Sequence, residues 1–166
     1  MKKPTILLLF LLSFLGLSAQ TGQYALGLRA GISAGISAKW YAKPGVDFEA
    51  LFTARNRGAQ LTGLVEFSQP LSATNDQWSW YYGLGAHVGF YQLYVSQLND
   101  PGELPVGRTT VGRLAMGPDA IVGIEFKPRA VPFSFSIDYK PYLDVLYWKR
   151  FYRNLLDASF SIRYVF

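Results

Sequence analysis

The chain has no cysteine, a single histidine, and, past its first residues, no apolar run approaching eighteen residues. Lack of cysteine excludes a disulfide framework and a lipid anchor at a signal cleavage site, so the fold must rest on hydrogen bonds and packing. One histidine without cysteine leaves no cluster suited to a transition metal. Lack of a long apolar run excludes a helical membrane span in the body of the chain, so any crossing has to be made by a closed barrel. Charge is also sparse: 16 % of residues are Asp, Glu, Lys or Arg, whereas 50 % are hydrophobic and 16 % aromatic. The apolar residues are not gathered into blocks. They are dispersed in alternation, and a period of two is the signature of strands.

The start of the chain is a different matter. Met1-Lys2-Lys3 precedes the uncharged run Ile6–Leu17 and then Ser18-Ala19-Gln20. This is the pattern of a secretory signal peptide, too short to span a bilayer. Residues 1–19 are expected to be removed, leaving residues 20–166 as a single domain.

Strands are expected at 23–32, 35–41, 46–53, 60–69, 78–91, 119–126, 132–140 and 156–166. In the first, Tyr24, Leu26, Leu28, Ala30 and Ile32 share one face and Arg29 lies on the other. In the fifth, Trp78, Trp80, Tyr82, Leu84, Ala86, Val88 and Phe90 oppose Tyr81, His87, Tyr91 and four small residues. In the last, Leu156, Ala158, Phe160, Ile162, Tyr164 and Phe166 oppose Asp157, Ser159, Ser161, Arg163 and Val165. One face of every strand is free of charge. The other carries Arg29, Lys39, Asp47, Glu49, Glu66, His87, Asp119, Glu125, Asp138, Lys140, Asp157 and Arg163.

These features predict an all-β fold, an eight-stranded antiparallel up-and-down transmembrane β-barrel with its apolar face toward lipid. The alternation that ends on an aromatic residue, with Phe160, Ile162, Tyr164 and Phe166 in phase, is what the closing strand of a bacterial outer-membrane barrel shows. It is expected to pair with the first strand and to act as the assembly signal. The connections 42–45, 70–77 and 127–131 then face the periplasm, and 33–34, 54–59, 92–118 and 141–155 face outward. All eight prolines after the signal segment are expected at turns, in loops or at strand edges. Tyr24, Trp40, Phe67, Trp78, Trp80, Phe126, Phe133, Tyr164 and Phe166 would form a girdle near one end.

Of the fourteen Lys and Arg after residue 19, four are expected in the lumen and ten in connections; the eleven acids divide seven and four. Opposite charges in so narrow a barrel can pair across it and fill it, which argues for a plugged interior. The outward connections are basic. Tyr147-Trp148-Lys149-Arg150-Phe151-Tyr152-Arg153 interleaves aromatics with cations, and Lys149, Arg150 and Arg153 are candidates for contact with lipopolysaccharide phosphates. A solvated loop is the plainer reading. Nucleic acid is not expected as a partner of an exported barrel.

No catalytic constellation stands out. His87 lies among inward glycines, the serines lack a nucleophile-elbow context, and Asp47 with Glu49 is the nearest thing to an acid/base pair. Gly83-Leu84-Gly85 opens no helix and so has no phosphate-cradling role. No enzyme activity, cofactor or metal is expected.

The segments Gly27–Tyr41, Leu61–Phe67, Trp80–Phe90, Gly123–Lys127 and Phe135–Pro141 resemble the short outer-membrane β-barrel proteins of Bacteroidetes-type bacteria. The resemblance covers nearly the whole chain after the signal segment. It implies an eight-stranded barrel inserted by the barrel assembly machinery, similar in architecture to the OmpA and OmpX membrane domains, and it carries no catalytic residues across. Three functional readings remain open: a non-enzymatic envelope barrel that acts through its loops, a conduit for small or hydrophobic solutes, and a secreted lipocalin-like binder. The last would require the charged face to point outward. The sequence assigns no oligomeric state.

Overall fold

The computed structural model describes residues 23–55, 58–72, 74, 76–96, 108–146 and 150–166; at 55, 91–96, 108–111, 113, 145–146 and 150–154 only the backbone path is described. The expected signal segment and Lys149 lie outside the described residues.

Ten strands follow one another: β1 Tyr24–Gly31, β2 Ala34–Lys43, β3 Val46–Arg55, β4 Gly58–Pro70, β5 Trp78–Ser96, β6 Arg108–Phe126, β7 Phe133–Tyr139, β8 Tyr142–Leu146, β9 Arg150–Asn154 and β10 Ala158–Val165. Eight of them form a closed antiparallel ring in the order β5-β4-β3-β2-β1-β10-β7-β6, with β6 pairing back onto β5. Strand β8 continues β7 along β6 beyond the break at Lys140-Pro141, and β9 pairs with β8.

Closure occurs where the sequence places it. The last strand pairs with the first from Ala25↔Val165 to Gly31↔Ser159, and Tyr24 and Phe166 exchange backbone hydrogen bonds of 3.1 and 2.8 Å. A closed ring leaves no unpaired edge at this seam. The β2–β3 connection is a tight turn in which Pro44 is followed by Gly45 at φ +81°, a left-handed conformation that glycine adopts without a steric penalty.

Three expectations need correction. The long outward connection 92–118 is mostly strand, since β5 runs to Ser96 and β6 starts at Arg108 in register with it. Residues 97–107 lie outside the described residues. Within the supposed connection 141–155, β8 and β9 form a paired hairpin. Pro118 sits inside β6, opposite Ala86, and not at a turn or edge. The outward proline costs one ladder donor, and β6 bridges β8 at Met116 and Asp119 without bridging at 117 or 118. Strands β2 and β3 are also longer than the alternation alone indicates, at ten residues each.

Polarity is inverted relative to a water-soluble barrel. Leu28 and Leu84 are each 70 % exposed and Ile137 is 66 % exposed, while Arg29, Lys39, Glu66, Lys140, Asp157 and Arg163 are at most 2 % exposed. A small apolar cluster of Leu51, Leu64, Tyr81 and Ile121 shares the interior with them. Among the described residues, no helix is long and apolar enough to cross a membrane.

Aromatic side chains band the end of the barrel that carries the Pro44-Gly45 turn. Phe48, Trp40, Tyr24, Phe166, Tyr164 and Phe133 follow one another around the ring with centroid separations of 5.5 to 6.4 Å. Trp78–Phe126 at 4.5 Å and Trp80–Tyr82–Phe67 at 5.3 and 5.7 Å continue the band on β4 to β6. Offset aromatic contacts of this kind add stability beyond the area they cover.

Candidate functional site

Every one of the twelve lumen residues read from the alternation is buried: Arg29, Lys39, Asp47, Glu49, Glu66, His87, Asp119, Glu125, Asp138, Lys140, Asp157 and Arg163. The pleat accounts for this. Residues two apart on one strand share a face, so one phase choice carries a whole set inward.

At the girdled end, Lys39 on β2 reaches Glu66 at 2.7 Å, Asp47 at 3.6 Å and Glu125 at 3.7 Å. Its ammonium also lies 4.3 Å from the Tyr81 ring centroid, a favourable cation–π placement. Tyr41 donates to Glu125 at 2.9 Å. Strands β2 and β6 lie on opposite sides of the ring, so Lys39, Tyr41 and Glu125 close the lumen from wall to wall. Lys127, expected only as a turn residue, folds back to Glu125 at 3.1 Å and over the Tyr41 ring at 3.5 Å.

In the middle tier the guanidinium of Arg163 pairs with Glu49 and donates to Ser136 at 2.8 Å and to Ser37 at 2.5 Å. Ser37 in turn donates to Glu49 at 2.5 Å. Arg29 holds Asp138 by contacts of 2.6 and 2.8 Å. These arginines reach across intervening strands because inward neighbours are small. A Cβ on Gly123 would stand 2.6 Å from the Tyr81 ring and hydroxyl, and one on Gly83 would meet the Val65 carbonyl oxygen at 2.4 Å.

At the far end, Lys140 joins Asp119 at 2.8 Å and Asp157 at 3.6 Å, and Ser33 donates to Asp157 at 2.8 Å. His87 lies between Asp119 and Asp144, at 2.6 and 2.8 Å. Asp144 corrects the charge map: assigned by its position to an outward connection, it is 6 % exposed and points inward from β8. The signal was present in the sequence, because Asp138, Lys140, Tyr142 and Asp144 keep one phase across Pro141. The proline break obscured it.

Buried charges at this density are tolerable only when paired and hydrogen-bonded. The result is an interior braced by ion pairs. At the Pro44-Gly45 end and in the middle tier side chains meet across the lumen, whereas at the far end the pairs join nearby strands along one side of the wall. No serine hydroxyl is hydrogen-bonded to His87 among the described residues; Ser33 and Ser37 donate to carboxylates instead. Among the described residues no group of three or more His, Cys, Asp or Glu is arranged to hold a metal ion.

The four side chains expected to form an assembly signal split by environment. Phe160 and Ile162 are exposed on the outer face, and Tyr164 and Phe166 are half-buried within the aromatic band. Arg150 and Arg153 lie on β9. No protein-family model matches the chain and no curated protein matches it.

Proposed function

We propose that the protein is a non-enzymatic integral outer-membrane β-barrel with a side-chain-filled lumen, which contributes to envelope integrity or to contacts at the cell surface. One observation carries this reading: large apolar side chains such as Leu28, Leu84 and Ile137 stand exposed around the ring while the ionised groups are buried inside. Water penalises that arrangement and a hydrocarbon phase favours it. The aromatic band at the short-turn end fits a girdle at the periplasmic interface, with β5, β6, β8 and β9 extending on the other side.

In this orientation the outward segments hold Arg55, Arg57, Arg108, Arg113, Lys149, Arg150 and Arg153, and their acids reduce to Asp100 and Glu103 once Asp144 is counted inside. A basic rim above a leaflet of phosphorylated lipid supports contact with lipopolysaccharide through Lys149, Arg150 and Arg153. The resemblance to Bacteroidetes-type barrels and the C-terminal Phe166 support export and insertion by the barrel assembly machinery. Transport is disfavoured by the braced lumen. A lipocalin-like role requires the opposite assignment of faces.

Two measurements test the reading together. Fractionation followed by electrophoresis of heated and unheated samples should give a detergent-extracted protein whose mobility shifts with heating. Reconstitution into planar bilayers should give silent membranes. A water-soluble pool without a mobility shift refutes the membrane assignment, and reproducible conductance steps refute the plug.

A further inference from the structure

The ring of His87 presents Nδ1 to Asp119 Oδ2 on β6 at 2.6 Å and Nε2 to Asp144 Oδ1 on β8 at 2.8 Å. A neutral imidazole has one N–H and one lone pair, so it can donate to only one of two ionised carboxylates. Its lone pair would then face the other at hydrogen-bond distance. The imidazolium donates at both nitrogens. With both carboxylates ionised, the geometry therefore requires a proton on the ring that an isolated histidine would not be obliged to hold.

The surroundings are specific. Lys140, at the end of β7, bonds the other oxygen of Asp119 at 2.8 Å and also faces Asp157, ahead of β10, at 3.6 Å. Tyr142 on β8 turns an edge to the His87 ring at 5.1 Å and lies 4.5 Å beneath the Lys140 ammonium. From β4 the register partner of His87 is the uncharged Thr62. Among the described residues the charged groups around the ring are thus Asp119, Asp144 and Asp157 against Lys140. With His87 protonated the cluster is one negative charge from balance; without that proton a carboxylate faces a lone pair.

Backbone geometry makes the cluster mechanically relevant. Strand β8 follows Pro141, which has no N–H, and its bridges to β6 are at Ala115↔Leu146, Met116↔Val145 and Asp119↔Tyr142. Pro118 removes a further donor from the β6 stretch between those bridges. Asp144 lies in the thin part of this ladder and reaches past β6 to a residue of β5. A side-chain clamp is therefore superimposed on a weak backbone seam.

We propose that Asp119, His87 and Asp144 form a proton-operated latch that fixes β8 against β6 and ties the order of the barrel end away from the Pro44-Gly45 turn to pH. It is closed while His87 carries both protons and opens when the ring loses one on alkalisation; the eight-stranded ring below it stays intact. This follows from the barrel alone and does not depend on the membrane proposal.

The test uses the full chain folded in detergent micelles. Nitrogen-15 chemical shifts of the His87 ring report its protonation, and amide exchange protection factors, corrected for intrinsic rates, report β8. At about pH 7 both ring nitrogens should show imidazolium shifts. On raising the pH to about 10, the ring should become a neutral tautomer and protection across β8 should fall at least roughly tenfold, with the β1–β10 seam unchanged. In His87→Gln and Asp144→Asn the β8 amides should already exchange fast at neutral pH, with no pH step. A neutral ring at pH 7 overturns the proposal, as does a ring that titrates while β8 protection stays constant, or a pH step that survives in both variants.

Discussion

Replacement of Arg163 by methionine is the sharpest way to probe the braced interior. Arg163 is fully buried and its guanidinium is shared among Glu49, Glu125, Ser37 and Ser136. The losses are unequal. Glu125, 3.7 Å from Arg163, keeps Lys39, Lys127 and Tyr41. Glu49 keeps the Ser37 hydroxyl and its contact with the neighbouring Glu66 carboxyl. The variant thus leaves Glu49 with no ion-pair partner within 4 Å among the described residues, Lys39 and Arg29 acting on it only at longer range, a defect that costs up to about 3–5 kcal/mol. Adding Glu49→Gln removes the stranded charge, so the double variant should lose at most about 2 kcal/mol, which with about 1 kcal/mol for Glu49→Gln alone is a coupling on the order of 2–4 kcal/mol. Urea unfolding from phospholipid vesicles, followed by the four tryptophans and by gel mobility, gives all three values. A cost below about 1 kcal/mol for Arg163→Met, or strict additivity with Glu49→Gln, would refute the claim that this ion pair braces the lumen.

Other consequences can be measured on the same protein. Gly123→Val sets a branched side chain against Tyr81 and the Ile137 carbonyl oxygen, both under 3 Å from a bare Cβ, and should destabilise by about 1–3 kcal/mol in the same urea assay. Gly63→Ala, on the outer face with nothing within 4 Å of the added carbon, should change stability by less than about 1 kcal/mol or raise it slightly. Deletion of Phe166 removes its backbone bonds with Tyr24 and the ring contacts to Tyr24 and Tyr164. Folding into vesicles, timed by gel shift, should slow several-fold; an unchanged rate would show that the C-terminal aromatic is not part of the assembly step.

Much of the fold is legible in the sequence because a half-exposed strand writes its two environments alternately. Leu156 to Phe166 announces its partner faces residue by residue, and the pairing with Tyr24 to Gly31 follows from closure. The twelve lumen residues are readable for the same reason, since one phase choice per strand moves all its charges together. What stays hidden is local. Gly112 to Pro118 offers glycines and a proline where a strand would show β-branched residues, so the ladder of β6 there depends on its β5 neighbour, not on its own propensity. Asp144 is obscured by Pro141 before it. Lys127 is readable as a turn residue, but its fold back onto Glu125 and Tyr41 depends on the curvature of the closed ring, which no linear pattern records.

The most direct test of the central claim, that this barrel turns its apolar face to lipid and its charges to the lumen, uses the absence of cysteine. Single cysteines introduced at Leu26, Leu28, Leu84 and Ile137, all exposed on the outer face, and at Thr62 and Ser161, both buried inside, can carry a nitroxide without background labelling. In vesicles, the outer positions should be relaxed strongly by dissolved oxygen and weakly by a water-soluble nickel chelate, whereas the inner positions should respond little to either. Strong collision of the nickel chelate with labels at Leu28 and Leu84 would contradict the account.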